Sequence, residues 1–195
     1  MIRIIILMLL IAGSADIDSL DKISRRYSSA DGIQWKIESV VYSDIFEEYD
    51  TTQIEFDFFP PDTFSISSEL EKIAGIADTV WVLSKRHKQI QKKATDGNVM
   101  PYNFILNWDE NYRLAEYKEN GGYSMFELES LGNVLPEKLL LVTDEKDRIR
   151  KVQYHDSKGD QITMTFKKEK LERPSKFDRF YDNIPDDYEF IDLIE

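Results

Sequence analysis

"QIEFDFFPPDTFSIS", Gln53 to Ser67, decides the fold class. Ile54, Phe56 and Phe58 alternate with Gln53, Glu55 and Asp57, the period-two pattern of a strand with one face in oil and one in water. Pro60 and Pro61 must interrupt the ladder, because proline has no amide hydrogen to donate, and Phe64 and Ile66 restart it on one face. Just upstream, Trp35, Ile37 and Val41 alternate with Gln34, Lys36 and Glu38 in the same way. The chain reads here as half-buried antiparallel strands.

The pattern continues outward. In "DTVWVLSKRHKQIQK", Asp78 to Lys92, the unbroken apolar run Val80–Leu83 makes a strong strand before the sequence turns wholly polar. One alternate side-chain set is expected to face the interior and the other a covering helix. Gly121-Gly122 and Lys158-Gly159 sit between alternating runs, as hairpin turns do. Leu139 to Val142 and the set Ile162, Met164 and Phe166 bring the count to roughly nine to eleven short strands.

Two stretches break the period. Ile17, Leu20, Ile23 and Tyr27 recur at three- and four-residue spacing, which describes an amphipathic helix. In "NVMPYNFILNWDENY", Asn98 to Tyr112, Pro101 suits a first helical turn and Phe104, Ile105 and Trp108 fall on one side. With no repeat, low-complexity tract or linker, residues 16–195 read as one α+β, mainly β, domain.

Composition bounds the function. A chain of 195 residues that is 42% hydrophobic and 12% aromatic has ample core for one domain, and its net charge of -12 argues against a nucleic-acid surface. Met1 to Ala15 (MIRIIILMLLIAGSA) has one positive charge at Arg3, an apolar stretch and small residues at Gly13, Ser14 and Ala15, the three parts of a secretory signal peptide. No later stretch reaches the ~18–20 apolar residues that span a bilayer. There is no cysteine, so neither disulfides nor a lipidated thiol is available. The expectation is a freely diffusing, monomeric periplasmic protein.

The residues offer little for catalysis. His87 lies in a polar stretch and His155 beside a turn, two histidines without partners at ligand spacing, so no metal site is expected. No nucleophile elbow, dinucleotide fingerprint or phosphate loop occurs. Glu47-Glu48 and Asp186-Asp187 are adjacent acids whose side chains point apart, and they read as solubility. The protein is expected to be neither an enzyme nor a cofactor binder.

A sheet with one apolar face must cover it, and two short helices fall short of covering it all. Trp35, Phe56, Phe58, Phe64 and Trp81 are candidates for that face, which is either a packed core or a cavity for a greasy ligand.

Several stretches together resemble the LolA family of periplasmic outer-membrane lipoprotein carriers. "SLDKIS" (Ser19 to Ser24) is similar to the family's first-helix pattern, with Leu20 toward the cavity. "PPDTFSI" resembles a family segment with Phe64 and Ile66 at its apolar positions, and "DTVWVLSKRHKQI" resembles the strand that carries a Trp. "NVMPYNFIL" is similar to the cavity-capping helix. "DRIRKVQYHDSKGDQITMTF" and "FDRFYDNIPDDYEFID" resemble the closing hairpin and the ending, the latter through Phe180, Pro185 and Asp192.

The resemblance implies an incomplete antiparallel β-barrel with helices as a lid over a hydrophobic cavity. Leu20, Trp35, Ile37, Ile54, Phe56, Phe58, Phe64, Ile66, Trp81, Met125, Ile162 and Met164 would line it, and Pro101, Tyr102, Phe104, Ile105 and Trp108 would form the lid. It implies acylated cargo, chiefly lipoproteins, loaded by an inner-membrane lipoprotein-releasing ABC transporter and passed to an outer-membrane acceptor. Two departures stand out. Pro60 occupies the place of the arginine that latches the family's lid, and Asp186 or Asp187 replaces a glycine after the final proline. A regulatory module like RseB, which senses lipid or protein signals, is the competing expectation; such proteins carry an additional domain.

Overall fold

The computed structural model describes residues 16–94, 108–132 and 135–194. The expected signal peptide and lid residues Pro101, Tyr102, Phe104 and Ile105 lie outside them. The first helix, α1, spans residues 16–28. Leu20, Ile23 and Tyr27 are fully buried along one stripe, whereas Ile17, expected on the same stripe, is exposed one turn before the helix meets the core.

The strands are β1 (Ile33–Ser43), β2 (Glu48–Phe59), β3 (Thr63–Ser67), β4 (Glu71–Ile76), β5 (Thr79–Ser84) and β6 (Gln89–Ala94). After the short helix α2 (Trp108–Asn111) come β7 (Tyr112–Asn120), β8 (Tyr123–Ser130), β9 (Lys138–Asp144), β10 (Ile149–His155), β11 (Gln161–Lys170) and β12 (Glu189–Asp192). All twelve belong to one sheet in the order β12-β6-β5-β4-β3-β2-β1-β11-β10-β9-β8-β7.

This corrects the sequence expectation in two ways: among the described residues there are twelve strands, and β12 joins β6 in parallel while every other pair is antiparallel; the sheet is open, with β12 and β7 at its edges. The β10–β11 hairpin stands beside β1 in mid-sheet. The polar stretch after Val80–Leu83 becomes β6, because Ile90 is wholly buried and its flanking lysines and glutamines line a near-edge strand.

Turn chemistry explains the hairpins. Gly121 and Gly122 both adopt positive φ, 59° and 81°, as the tight two-residue link between Asn120 and Tyr123 requires. In the β10–β11 turn the Asp156 carboxylate accepts the amides of Lys158 and Asp160 at 2.8 and 3.0 Å, and Gly159 takes φ 89°.

The two faces of the sheet are covered by different parts of the chain. On the inner face α1 packs over Ile33, Trp35, Phe56, Phe126, Leu141, Val152 and Phe166. On the outer face the segment after β11 runs across the strands. Pro174 lies against Gly32, Phe177 meets Phe59 edge-on at 5.5 Å, Asp178 pairs with Lys72 at 2.6 Å, and Tyr181 stacks on Trp81 at 4.2 Å. β12 then pairs with β6, and Lys92–Asp192 and Lys88–Asp187 ion pairs flank it.

Candidate functional site

Alternation places Ile33, Trp35, Ile37 and Ser39 of β1 on the inner face, opposite Phe58, Phe56, Ile54 and Thr52 of β2. The register carries that face through Phe64 and Ile66 of β3 to Gly75 and Ile73 of β4, and on the other side to Phe166 and Met164 of β11. The inner face then divides. Around Trp35 it is solid: Tyr27 meets the indole edge-on at 5.4 Å, Phe56 stacks on it at 5.3 Å and Phe166 meets it edge-on at 5.1 Å. Next to that core lies a cavity of about 550 Å³.

Ile37, Ile54, Phe56, Ile66, Ile73 and Met164 form the cavity floor, with Tyr154 of β10 and the Leu135-Pro136 segment as walls. Ser39, Thr52, Ser68, Glu71, His155, Asp156 and Ser157 complete the lining. Burial, and then the charge of Asp156, push the Tyr154 phenol above its ordinary range, so it is a neutral group inside the cavity. A volume near 550 Å³ falls within the ~300–1,000 Å³ typical of pockets for drug-sized ligands. Among the described residues no cluster of His, Asp or Glu could hold a metal ion.

The helix is held beside this cavity by a buried polar knot. The Tyr27 hydroxyl donates to Glu169 Oε2 and accepts the Ile149 amide at 3.0 Å. Arg26 pairs with the other Glu169 oxygen at 2.6 Å. Burial, followed by the bond to Glu169, raises the Tyr27 pKa far above its normal value. At the other end of α1, the Trp108 indole donates to Asp21 at 3.2 Å, tying α2 to the helix.

Ile37, Ile54, Phe56, Ile66 and Met164 come together in the cavity lining. Leu20, Trp35, Phe58 and Phe64 share the inner face but are spent in the solid core, where large rings fill the space under α1. Ile162 is half-buried opposite Val41 and Tyr154, outside the lining.

Trp81 is on the other side of the sheet: its neighbours Val80 and Val82 take the inner face, and its ring is capped by Tyr181. The cover there is the C-terminal segment rather than the helix expected. Met125 alternates with the buried Phe126 and lies opposite Val142 and Lys118, which also places it on the outer face. Trp108 is buried in the core beside Tyr112 rather than in the cavity lining.

The sequence reading did not single out Ile73, Tyr154, the Leu135-Pro136 wall or the polar group Glu71, His155 and Asp156 as cavity residues. The signal existed for Tyr154, two residues from Val152 in an alternating run. It was absent for the others, which sit at turns or on a short strand. His155, expected to face solvent, is exposed and also edges the cavity.

No protein-family model and no curated protein matches this sequence. Among solved structures, the chain is similar to an uncharacterized conserved protein from Thermus thermophilus, at 12% identity and a TM-score of 0.55 over 93% of this chain and 99% of that one. It matches a LolA superfamily protein from Nitrosomonas europaea at 11% identity and a TM-score of 0.47, covering 85% of this chain and 96% of that one. A DUF1329 family protein from Desulfovibrio piger matches at 10% identity and a TM-score of 0.47, over 87% and 96% of the two chains. The Thermus likeness shows a shared fold.

Proposed function

We propose that the protein is a non-catalytic carrier that shields the acyl chain of a lipoprotein or similar lipid in the cavity during transfer between the two membranes of a bacterial envelope. The observation that carries the reading is the cavity itself, an apolar floor beside a solid core. The motif resemblance to lipoprotein carriers and the signal-peptide pattern of Met1 to Ala15 support the same direction. On this reading the partners are a membrane complex that loads the cargo and an outer-membrane acceptor that removes it.

Size and energy agree with reversible carriage. Three chains with some forty methylenes, fully buried at ~0.8 kcal/mol each, would gain roughly 30 kcal/mol, beyond the ~18–21 kcal/mol at which non-covalent affinities saturate. Cargo held so tightly would never leave. A cavity near 550 Å³ suits one drug-sized group, and a single twelve-carbon chain gains about 10 kcal/mol before the costs of association. One chain sheltered at a time gives binding that a downstream acceptor can reverse.

The test is a polarity-sensitive dye titrated into the purified mature protein, followed by displacement with a synthetic diacyl or triacyl lipopeptide. Bright dye lost to lipopeptide, and not to the same peptide without acyl chains, is the expected result. A dye that stays dark, or that lipopeptide leaves bound, overturns the carrier.

A further inference from the structure

We infer that the cavity selects an apolar chain whose polar end is cationic or uncharged, with Glu71 and Asp156 disfavouring an anionic end. The inference rests on the apolar-ligand reading above and adds the chemistry of the head.

The registers gather the polar lining at one end of the floor. Ser39 lies opposite Thr52 and Met164, at the end of the sheet where the β1–β2 hairpin projects. Ser68 and Glu71 flank the β3–β4 turn, one step beyond the Glu55–Ser67 pair. His155, Asp156 and Ser157 lead into the β10–β11 turn, past the Tyr154–Ile162 pair. The hairpin tip at this same end exposes Asp44, Glu47, Glu48 and Asp50.

Glu71 and Asp156 are the charged groups of the lining, and no lysine or arginine lines the cavity among the described residues. Neither carboxylate has an ion-pair partner among them. The stretches 95–107 and 133–134 contain no lysine or arginine in sequence. Lys85, in a neighbouring turn, directs its ammonium to the carbonyls of Ser68 and Glu69 at 3.1 and 2.8 Å. Arg86 and Lys158 occupy exposed turns outside the lining. A head seated at this end therefore meets the exposed Glu71 and the half-buried Asp156, two carboxylates with no ion-pair partner among the described residues, and serine and threonine hydroxyls suited to an uncharged polar group.

At contact distance two carboxylates shift the affinities of a cation and an anion in opposite directions. The spread is on the order of tenfold at low salt and shrinks as added salt shortens the Debye length. Dodecylamine, dodecyl maltoside and dodecanoate, each below its micelle concentration, share one tail and differ in the head. Displacement of the dye from the full mature chain should rank the amine ahead of the carboxylate by about tenfold. Glu71→Gln with Asp156→Asn should collapse that ratio toward one; Asn keeps the oxygen that caps the turn.

Because the whole protein is acidic, Glu110→Gln with Glu145→Gln serves as a control of equal charge change away from the lining, and should keep the ratio. Dodecanoate binding as tightly as the amine, or a ratio that falls equally in both double variants, overturns the inference. Failure of the maltoside to displace the dye overturns the carrier reading beneath it.

Discussion

Tyr27→Phe isolates the polar knot that fixes α1 on the sheet. The substitution keeps the ring, and with it the edge-on contact to Trp35 at 5.4 Å, so packing is nearly unchanged. It removes one oxygen that serves two buried partners. The Ile149 amide loses its acceptor, a loss worth ~1–3 kcal/mol for an orphaned buried donor. Glu169, whose side chain is only 9% exposed, loses a donor worth ~1.5–3 kcal/mol for a bond to a charged group.

Arg26 still neutralises Glu169 from 2.6 Å, so the lower end of each range applies and the sum is about 2.5 kcal/mol. In a chain of 195 residues that lowers Tm by roughly 5–10 °C. Urea unfolding should show the midpoint displaced with an unchanged slope.

The same hydroxyl sets a pH dependence. Its folded pKa lies above the unfolded value near 10, so the native state holds the proton more tightly. The stabilisation is complete below pH ~10 and declines above it by about 1.4 kcal/mol per pH unit. The wild type should therefore lose its advantage over Tyr27→Phe as pH rises past 10. A substitution costing under ~0.5 kcal/mol at pH 7, or a stability gap that stays constant through alkaline pH, refutes the knot as the anchor of α1.

Ile54→Glu puts a charge on the cavity floor and should weaken dodecyl maltoside binding by at least ~10-fold with an unchanged far-UV spectrum, since desolvating the carboxylate opposes entry of the chain; full binding would remove Ile54 from the site. Trp81→Ala should free the C-terminal segment to limited proteolysis and cost about 2–4 kcal/mol, through the lost stack on Tyr181 and the lost indole area, while dye binding is retained; lost dye binding in a folded variant would place Trp81 in the cavity after all. Gly75→Ala drives a methyl into the buried Phe64 ring and should lower stability by about 1–3 kcal/mol, measured by thermal melting, with Phe64→Leu in the same chain restoring part of it.

The β architecture was legible because alternation is a local signal. Ile54-Phe56-Phe58 and Trp35-Ile37 each report their own face without knowledge of their partners. Gly121-Gly122 and Lys158-Gly159 likewise announce their turns through the backbone angles they permit.

Sidedness between distant strands is not local. An unbroken run such as Val80–Leu83 carries no alternation, so nothing in it says that Trp81 belongs with Tyr181, 100 residues further along the chain. The outer-face placement of Met125 is hidden for the same reason, as its partners Val142 and Lys118 lie on two other strands. The parallel docking of β12 depends on main-chain pairing with β6, for which side-chain pattern has no code. The polar end of the cavity is assembled from Ser39 and Thr52 on β1 and β2 and from the β3–β4 and β10–β11 turns, each turn looking like ordinary solvated loop.

Geometry explains why the inner face is both solid and hollow. α1 spans residues 16–28, about 20 Å of helix, whereas twelve strands at ~4.8 Å spacing make a sheet about 50 Å wide along its surface. The helix reaches less than half of it. A domain meant to be filled throughout would place its bulkiest side chains where the helix does not reach, since close packing rewards volume where space is left. Here Trp35, Phe58, Phe64 and Phe166 stand in the core with the helix, Phe56 borders both core and cavity, and the rest of the floor is made of the smaller Ile37, Ile54, Ile66, Ile73 and Met164, with Tyr154 as a wall. Smaller side chains in the wider gap leave a void at a cost in lost contacts. On the proposed reading an apolar guest fills the space, and the carboxylates at its polar end act on whatever head the guest carries.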